Sequence, residues 1–260
     1  TMTQAERRRY LIRSLMAERA EYRGMALPQG EDEQRRLLRS LMNVRPPRPA
    51  DREFLSVQDD YLRRTLAEEG ITRLAALRPV SGELYIWQGD ITRLQCGAIV
   101  NAANSGMTGC YIPCHACIDN CIHTYAGVQL RLACAGLMAA QGHEEPTGQA
   151  KLTRAYNLPC DYVLHTVGPV IEGAVTAEDE RLLASCYRSC LELARQNGVE
   201  SIAFCCISTG VFHFPNERAA EIAVETVRRY KAETDSRMKV IFNVFKDTDK
   251  AIYERLLGAD

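Results

Sequence analysis

Residues 83–104 read ELYIWQGDITRLQCGAIVNAAN, in which two short apolar runs, ELYIW and GAIVN, are each followed by polar residues. Three further runs occur later in the chain: DYVLHTVG, SIAFCC and KVIFNVF. Stretches with helical periodicity lie between and after these runs and are predicted as helices over 118–141, 179–197, 215–234 and 248–257. Apolar runs that alternate with helices are typical of buried parallel strands. The pattern therefore predicts an α/β fold with a mostly parallel sheet covered on both faces.

The first 76 residues differ from the rest because they lack such runs and carry charged, helical patterning. A proline-rich break at 45–49, RPPRP, separates two helices, and a third helix begins near Asp51. The apolar residues of the first two helices form two stripes: Tyr10, Leu11, Leu15 and Met16, and Leu37, Leu38, Leu41 and Met42. The sequence thus predicts a helical extension over 1–76 and an α/β domain over 77–260.

Composition and charge narrow the classes of protein to which the chain can belong. Hydrophobic residues make up 46% and charged residues 25%, and no apolar run approaches the roughly 18 residues that span a bilayer. A net charge of -1 gives no general attraction for a polyanion, which argues against nucleic acid as a partner. The first residues lack an export signal, and the eleven cysteines are spread through apolar segments. We therefore expect a soluble, cytoplasmic protein with reduced thiols.

Polar loops follow three of the predicted strands, at the sheet edge where open α/β folds bind ligands. Asp90 can accept a hydrogen bond from a base amino group or cap a helix. Asn101 and Asn104 carry amides that suit sugar hydroxyls, or that cap a strand end or a turn. The loop 208–212, STGVF, precedes a helix, so its N–H groups can face a phosphate, although Ser-Thr-Gly is also a common turn. Together the loops predict one ligand pocket.

A second functional candidate is the stretch 105–123, SGMTGCYIPCHACIDNCIH, with four cysteines and two histidines. Thiolate and imidazole are the ligands that zinc prefers, and a catalytic zinc site keeps one position open. Cys110, His115 and Cys117 form a compact set of three ligands. Two alternatives remain open: the spacing CHAC, Cys114 to Cys117, is that of a redox pair, and clustered thiols can simply be buried. Cys134, Cys186 and Cys190 are assigned to helix cores.

Taken together, GDIT, AIVNAAN, LHTVGP and ISTGVFHFP resemble the macrodomain family over about residues 83–260. The resemblance implies a three-layer α/β/α fold that binds ADP-ribose. It also implies that Asp90 and Ile91 contact adenine, that Asn101 and Asn104 contact the distal ribose, and that the remaining loop wraps the diphosphate. The residues of this loop that match the family motif in ISTGVFHFP are Ser208, Thr209, Gly210, Val211 and Phe212.

The stretch GCYIPCHACIDNCIHTYAGVQLR is similar to the signature of zinc-dependent macrodomains of bacteria and fungi. This similarity implies Zn²⁺ as cofactor, Cys110, His115 and Cys117 as its ligands, and Gly109 in the substrate site. These macrodomains also carry a helical extension and are often encoded beside a sirtuin-type ADP-ribosyltransferase. Such a transferase and a lipoyl-carrier protein are therefore expected partners.

The function implied is that of a zinc-dependent hydrolase that removes ADP-ribose from mono-ADP-ribosylated proteins. Asn104 and Asp119 are the candidate catalytic residues, with Asp119 as a general base or as the partner of a ligand imidazole. Asp119 can equally be an acidic residue in the first turn of a helix. Three other functions remain open: a reader of ADP-ribose with a structural zinc, an esterase acting on O-acyl-ADP-ribose, and a scaffold whose helical extension binds a partner.

Overall fold

The computed structural model describes residues 1–258, and residues 259–260, the end of the predicted α/β domain, lie outside the described residues. The α-helices are α1 (Gln4–Ala17), α2 (Glu31–Val44), α3 (Arg52–Glu69), α4 (Ile118–Ala126), α5 (Val128–Gln141), α6 (Ala177–Gln196), α7 (Asn216–Thr234) and α8 (Asp247–Leu257). The strands are β1 (Thr72–Arg73), β2 (Leu84–Gln88), β3 (Leu94–Gln95), β4 (Ala98–Ala102), β5 (Ala150–Arg154), β6 (Tyr162–Thr166), β7 (Ser201–Phe204) and β8 (Lys239–Val244).

Six strands form the central sheet in the order β2-β8-β7-β4-β6-β5. Strand β5 is antiparallel to β6, and the other neighbouring pairs are parallel. All of β7 and the first four residues of β4 are buried, as expected for strands covered on both faces. This mixed, mostly parallel sheet confirms the predicted α/β fold. Its order also brings the carboxyl ends of β4, β7 and β8 side by side.

The sequence pattern missed strand β5 at the edge of the sheet. Its residues, AKLTR, are mostly half-buried and include two charged side chains, so they do not form an apolar run. An edge strand has a neighbour on one side only and needs less apolar surface than the central strands. Apolar runs therefore located β2, β4, β6, β7 and β8 but not this strand.

Two helices, α4 and α5, replace the single helix that the sequence predicted over 118–141. Gly127 separates them with a φ of 102°, a conformation that favours glycine and interrupts the helical hydrogen bonds. The side chain of Gln58, from α3, accepts a hydrogen bond from the N–H of Val128 at 2.9 Å and so caps α5. The break thus depends on a contact with the N-terminal helices.

Replacing Gly127 by alanine is expected to lower the free energy of unfolding by about 2 kcal/mol. The strained φ contributes, and a Cβ would lie 2.6 Å from Nε2 of Gln58 and 2.7 Å from Oε1 of Gln129. Urea unfolding would measure the loss. Gly142→Ala is the matched control, since its φ is 80° but nothing lies within 4 Å of the added Cβ. Equal losses in the two variants would show that the contact with Gln58 does not matter.

Helices α1, α2 and α3 pack around a small apolar core of their own. This core contains the central residues of both predicted stripes: Leu11, Leu15 and Met16 of α1, and Leu38, Leu41 and Met42 of α2. It also contains Val128 of α5, so it continues into the α/β part of the chain. Among residues 1–76, the large hydrophobic side chains classed as exposed are Met25 and Ile71. The stripes are therefore buried within the chain, which removes the main argument for a partner-binding scaffold.

No helix within residues 1–258 combines the length and the apolar character that crossing a membrane requires.

Candidate active site

A cleft of about 280 Å³ lies at the carboxyl ends of β4, β7 and β8. The residues that follow parallel strands meet at this edge of the sheet, which is the usual ligand site of open α/β folds. The lining comes from the end of β4, the start of α4, the segment 205–212 after β7, the start of α7, the end of β8 and the start of α8. Its residues are Ala102, Cys117, Ile118, Cys205, Cys206, Ser208, Thr209, Gly210, Val211, Phe212, Asn216, Asn243, Phe245, Lys246 and Asp249.

The loop 208–212 presents unused hydrogen-bond donors to this cleft. The hydroxyl of Thr209 donates to the carbonyl of Cys206 at 2.9 Å, and the carbonyl of Ser208 accepts from Phe214 N–H at 2.8 Å. These bonds fix the loop, whereas the N–H groups of Gly210, Val211 and Phe212 donate to no acceptor within the described chain. The Ser208 hydroxyl is buried and also lacks a partner there. Clustered free N–H groups before a helix start suit an anion such as a diphosphate.

Gly168, from the motif LHTVGP, makes room for this loop. A Cβ at Gly168 would lie 2.0 Å from Oγ of Ser208 and 2.9 Å from Cγ2 of Ile207. Ser208 itself has a φ of 66°, so the loop turns sharply where it passes Gly168. The glycine of this motif is therefore needed for the close approach of the two chain segments.

Cys110, His115 and Cys117 come together at one side of the cleft. Their ligand atoms all lie within 4.8 Å of one another, and Sγ of Cys110 is 3.8 Å from Nδ1 of His115. Ligand atoms of a tetrahedral zinc ion are separated by about 3.6 Å, given the usual bond lengths, so the arrangement is close to that of a site. Cys117 also lines the cleft. Two sulfurs and one imidazole nitrogen are a donor set that fits zinc and leaves one position open.

Cys117 has a second role as the N-cap of α4, where its sulfur accepts from Asn120 N–H at 3.4 Å. Burial and the neighbouring Cys110 raise the pKa of the Cys117 thiol to about 12. A thiol with such a pKa stays protonated near neutral pH unless a cation displaces the proton. We therefore expect metal binding here to release protons and to weaken as the pH falls.

The other two cysteines of this stretch contact different partners. Sγ of Cys114 lies 3.2 Å from the hydroxyl of Ser40 on α2, and Sγ of Cys121 lies 3.5 Å from the guanidinium of Arg39. Both cysteines are free thiols, and neither belongs to the group of three ligand atoms. The redox interpretation of CHAC thus gains no support from the geometry, because Cys114 faces α2 while Cys117 faces Cys110 and α4.

Asn104 and Gly109 shape the loop that leads to Cys110. Oδ1 of Asn104 accepts from the N–H groups of Gly106 and Met107 at 3.1 and 3.2 Å, and its Nδ2 donates to the Gly109 carbonyl at 3.2 Å. Gly109 has a φ of 96°, and a Cβ there would lie 2.9 Å from the ring of His123. These two residues hold the loop, and neither lines the cleft.

We call the loop 110–117, which carries the three candidate ligands, the ligand loop. Asn101 and Asp119 lie in a buried polar network behind it. Asn101 is 0% exposed, and its Nδ2 lies 2.8 Å from Oδ1 of Asp119 and 3.1 Å from Nδ1 of His165. Asp119 is also 3.5 Å from Nε2 of His123. The structure thus gives Asp119 the partners Asn101 and His123, whereas the sequence suggested a ligand imidazole. Asn101 has no exposed side-chain surface, so it supports the site from behind.

The same network contains a second group of soft donors, His123, Cys134 and His165, whose ligand atoms also lie within 4.8 Å of one another. Nδ1 of His165 faces Asn101, and its Nε2 is 2.9 Å from the hydroxyl of Thr153. Both ring nitrogens of His165 are therefore engaged, which leaves none for a metal. Burial lowers the pKa of His165 to about 4 and that of His123 well below its usual range, so both rings are neutral.

Asp90 and Ile91 lie outside the lining of the cleft. Oδ1 of Asp90 accepts from the N–H and the hydroxyl of Thr92 at 2.9 and 2.6 Å, which makes Asp90 the N-cap of the 3₁₀ turn Ile91–Arg93. This cap is the alternative role that the sequence left open. Ile91 is buried in the core of the domain.

Several lining residues were missed by the sequence analysis: Asn216, Asn243, Phe245, Lys246 and Asp249. Asn243 and Phe245 belong to the apolar run KVIFNVF, and Phe245 is 79% exposed. An asparagine and an exposed aromatic residue at the carboxyl end of a buried strand are a signal that could have identified them, because parallel strands end at the ligand edge.

Replacing Asp119 by asparagine is expected to raise the free energy of unfolding near neutral pH, by at most about 3 kcal/mol. Burial raises the pKa of Asp119 from 3.8 to about 6, so the charged form destabilises the folded chain. This penalty is absent below the unfolded value of 3.8, grows as the pH rises from 3.8 to about 6, and is fully present above 6. The advantage of the variant should therefore shrink as the pH falls from 6 towards 4.

Urea unfolding of the metal-free chain near pH 7 and near pH 4 would measure this difference. Asp60→Asn is the matched control, because Asp60 is exposed on α3 and its neutralisation should change little at either pH. An Asp119→Asn chain that is less stable than the parent near pH 7 would contradict the expectation.

Comparison with known proteins gives consistent matches. Residues 100–223 match the Macro domain family. The chain is 62% identical over 261 residues to a protein-ADP-ribose hydrolase of Treponema medium, and this alignment covers 99% of this chain and 100% of that protein. It is 41% identical to a probable bifunctional ADP-ribose hydrolase/ADP-ribosyltransferase of Fusarium oxysporum f. sp. cubense, covering 85% of this chain and 40% of that protein. A Trypanosoma brucei macrodomain solved in complex with ADP-ribose aligns with a TM-score of 0.65 and 33% identity, covering 85% of this chain and 95% of that chain.

Proposed function

Because this chain belongs to the Macro domain family, we propose that it is a zinc-dependent hydrolase that removes ADP-ribose from mono-ADP-ribosylated proteins. The relative of 62% identity is named a protein-ADP-ribose hydrolase, which supports the hydrolase activity. The observation that carries the zinc dependence is the group Cys110, His115 and Cys117, which lies beside a cleft whose loop offers free N–H groups. We also propose that residues 1–76 form the helical extension and 77–260 the macrodomain.

The cleft accounts for binding of the substrate. The N–H groups of the loop 208–212 face the diphosphate, and the start of α7 adds its positive end. Oδ1 of Asp90 caps the 3₁₀ turn and Oδ2 lies 3.7 Å from Nε of Arg93, so we assign the hydrogen bond from adenine to Oδ2. We assign the distal ribose to the part of the cleft that Cys117 lines. Asn104 and Gly109 keep the ligand loop in contact with that ribose.

We place the bond to the acceptor protein beside the ligand group, because Cys117 lines the cleft. Zinc held by Cys110, His115 and Cys117 would supply Lewis acidity, either by polarising a substrate oxygen or by lowering the pKa of a bound water to about 7. Asn101 and Asp119 position the start of α4, which carries Cys117. Asn104 holds the loop that carries Cys110. The catalytic contribution of Asn104 and Asp119 is thus to fix the ligand loop against the ribose.

The acceptor is a protein, and the enzyme that modifies it is a sirtuin-type ADP-ribosyltransferase. The fungal relative is named a probable bifunctional ADP-ribose hydrolase/ADP-ribosyltransferase, which supports a link between the two activities. A lipoyl-carrier protein is the acceptor to test first. The reaction takes place in the cytoplasm, with neither nucleic acid nor membrane as a partner.

The experiment that tests this proposal measures release of free ADP-ribose from a mono-ADP-ribosylated lipoyl-carrier protein. It compares the enzyme as purified, the chelator-stripped enzyme and the stripped enzyme with zinc restored, and calorimetry follows ADP-ribose binding in each sample. Release that disappears on stripping and returns with zinc, while ADP-ribose still binds, supports the hydrolase.

Two other results would lead to a different function. Binding without release in every sample would make the chain a reader of ADP-ribose with a structural zinc. Faster turnover of O-acyl-ADP-ribose than of the modified protein, in direct competition, would make it an esterase.

A further inference from the structure

Helix α2 of the N-terminal extension contacts the loop that carries the ligand group. Asn43 of α2 is buried, and its Oδ1 accepts from Cys114 N–H at 2.8 Å. Its Nδ2 donates to the hydroxyl of Thr124 on α4 at 3.0 Å. One side chain of the extension therefore bridges the ligand loop and the helix that begins at Cys117. Cys114 itself has a φ of 56°, so the loop is strained where Asn43 holds it.

Arg39, one turn earlier on α2, binds the backbone of a ligand residue. Its guanidinium donates to the carbonyl of His115 at 3.0 Å and, from two nitrogens, to Oδ1 of Asn120 at 3.0 and 3.3 Å. Asn120 is fully buried and in turn donates to the carbonyl of Ile112 at 2.9 Å. Arg39 thus fixes the chain at His115 directly and at Ile112 through Asn120.

Arg131 of α5 contacts both the ligand loop and the carboxyl end of α2. Its Nε and Nη2 donate to the carbonyls of Thr108 and Cys110 at 2.7 and 3.1 Å. Its Nη1 donates to the carbonyls of Asn43 and Arg45, each at 2.7 Å, at the carboxyl end of α2. The guanidinium also lies 3.9 Å from the centre of the Tyr111 ring. This buried cation therefore joins the backbone of ligand residue Cys110 to the end of α2.

The ligand loop needs such support because it has little of its own. Residues 111–114 and 116 are exposed, and the segment 103–117 contains neither helix nor strand. A site of three ligands binds metal tightly only when the ligand atoms are held close to their bound positions. Within the described residues, the side chains that hold the backbone at Cys110, Cys114 and His115 are Arg131, Asn43 and Arg39.

We propose that α2 is part of the metal site, with Arg39 and Asn43 as positioning residues for the ligand loop and Arg131 as the connection between them and Cys110. The extension then determines metal affinity in addition to stability. This inference rests on the proposed metal site, and it predicts that changes on α2 weaken metal binding without touching a ligand or the ADP-ribose cleft.

The test compares Arg39→Ala with the matched control Arg36→Ala on the intact chain. Arg36 is exposed on the same helix, and its side chain makes no hydrogen bond or ion pair within the described residues. Zinc affinity is measured by competition with a chromophoric chelator, and the Co²⁺-loaded chain is followed by its thiolate-to-metal and ligand-field absorption. ADP-ribose affinity and the unfolding temperature of the metal-free chain are measured in parallel.

Arg39→Ala is expected to weaken zinc binding by about 10- to 100-fold and to alter the Co²⁺ spectrum, while ADP-ribose affinity stays within about twofold. Arg39→Lys keeps the charge but not the planar guanidinium, so its zinc affinity should lie between that of the parent and that of Arg39→Ala. If the alanine variant does not fold, the lysine variant provides the test.

A lower unfolding temperature with unchanged zinc affinity and Co²⁺ spectrum in both Arg39 variants would overturn this inference and leave only a structural role for Arg39. If the unaltered chain binds neither zinc nor Co²⁺, the proposed zinc dependence itself fails. The two failures are therefore distinguishable.

Discussion

The Cys110→Ser variant is expected to release ADP-ribose from a mono-ADP-ribosylated protein on the order of 100-fold more slowly than the parent chain, or worse. Serine is a poor zinc ligand, so the group loses one of its two sulfurs and the contact of 3.8 Å with His115. Cys110 is not among the residues that line the cleft, so binding of free ADP-ribose should persist. Release kinetics and calorimetry on the same preparations would measure both quantities.

Cys114→Ser is the matched control for this substitution. Cys114 lies in the same loop, but its sulfur faces Ser40 and the carbonyl of Arg36 on α2, and serine can keep a hydrogen bond there. We expect release within about threefold of the parent, because no ligand is lost. Equal losses of activity in the two variants would contradict the assignment of Cys110 as a ligand, and full activity in Cys110→Ser would argue against a catalytic metal.

The Gly168→Ala variant is expected to bind ADP-ribose about 10- to 100-fold more weakly than the parent. The new Cβ would lie 2.0 Å from Oγ and 3.3 Å from Cβ of Ser208 and 2.9 Å from Cγ2 of Ile207, so these side chains are displaced and we expect the loop 208–212 to shift with them. Its N–H groups would then no longer converge on the site proposed for the diphosphate. Calorimetric titration with ADP-ribose would measure the loss of affinity.

A second glycine provides the control for this loss. Gly136 lies on α5, and nothing is within 4 Å of a Cβ added there, so Gly136→Ala should bind ADP-ribose like the parent. Because alanine favours helix, this control should also be slightly more stable. Unchanged affinity in Gly168→Ala would show that the loop does not form the anion site.

The sequence predicted five of the six strands of the central sheet and most of the helices because their signals are local. Runs such as GAIV and SIAF are apolar since both faces of those strands are buried, and α6, α7 and α8 lie within two residues of their predicted bounds. The edge strand β5 and the break at Gly127 escaped because each depends on its neighbours. A half-buried edge strand with charged side chains and a helix capped by Gln58 do not differ locally from other segments.

Much the same division applies to the candidate site. Cys110, His115 and Cys117 fall within eight positions, so a single turn of loop is enough to bring them together, and their residue types already favour zinc. The spacing of residues does not predict the direction in which each side chain points. Asn101 and Asn104 are three residues apart, yet one is fully buried against Asp119 and His165 while the other is exposed and ties the loop.

The sequence by itself therefore determined the α/β class, the loop 208–212 that lines the cleft and the three residues that can hold a metal. Only the tertiary structure decided what supports them: Arg39 and Asn43 lie more than 70 positions from the groups they hold at His115 and Cys114. Periodicity and spacing report on neighbours in the chain, because they reflect the local burial pattern and the reach of a few residues. Contacts between distant segments follow from how whole helices pack, and no short motif encodes them.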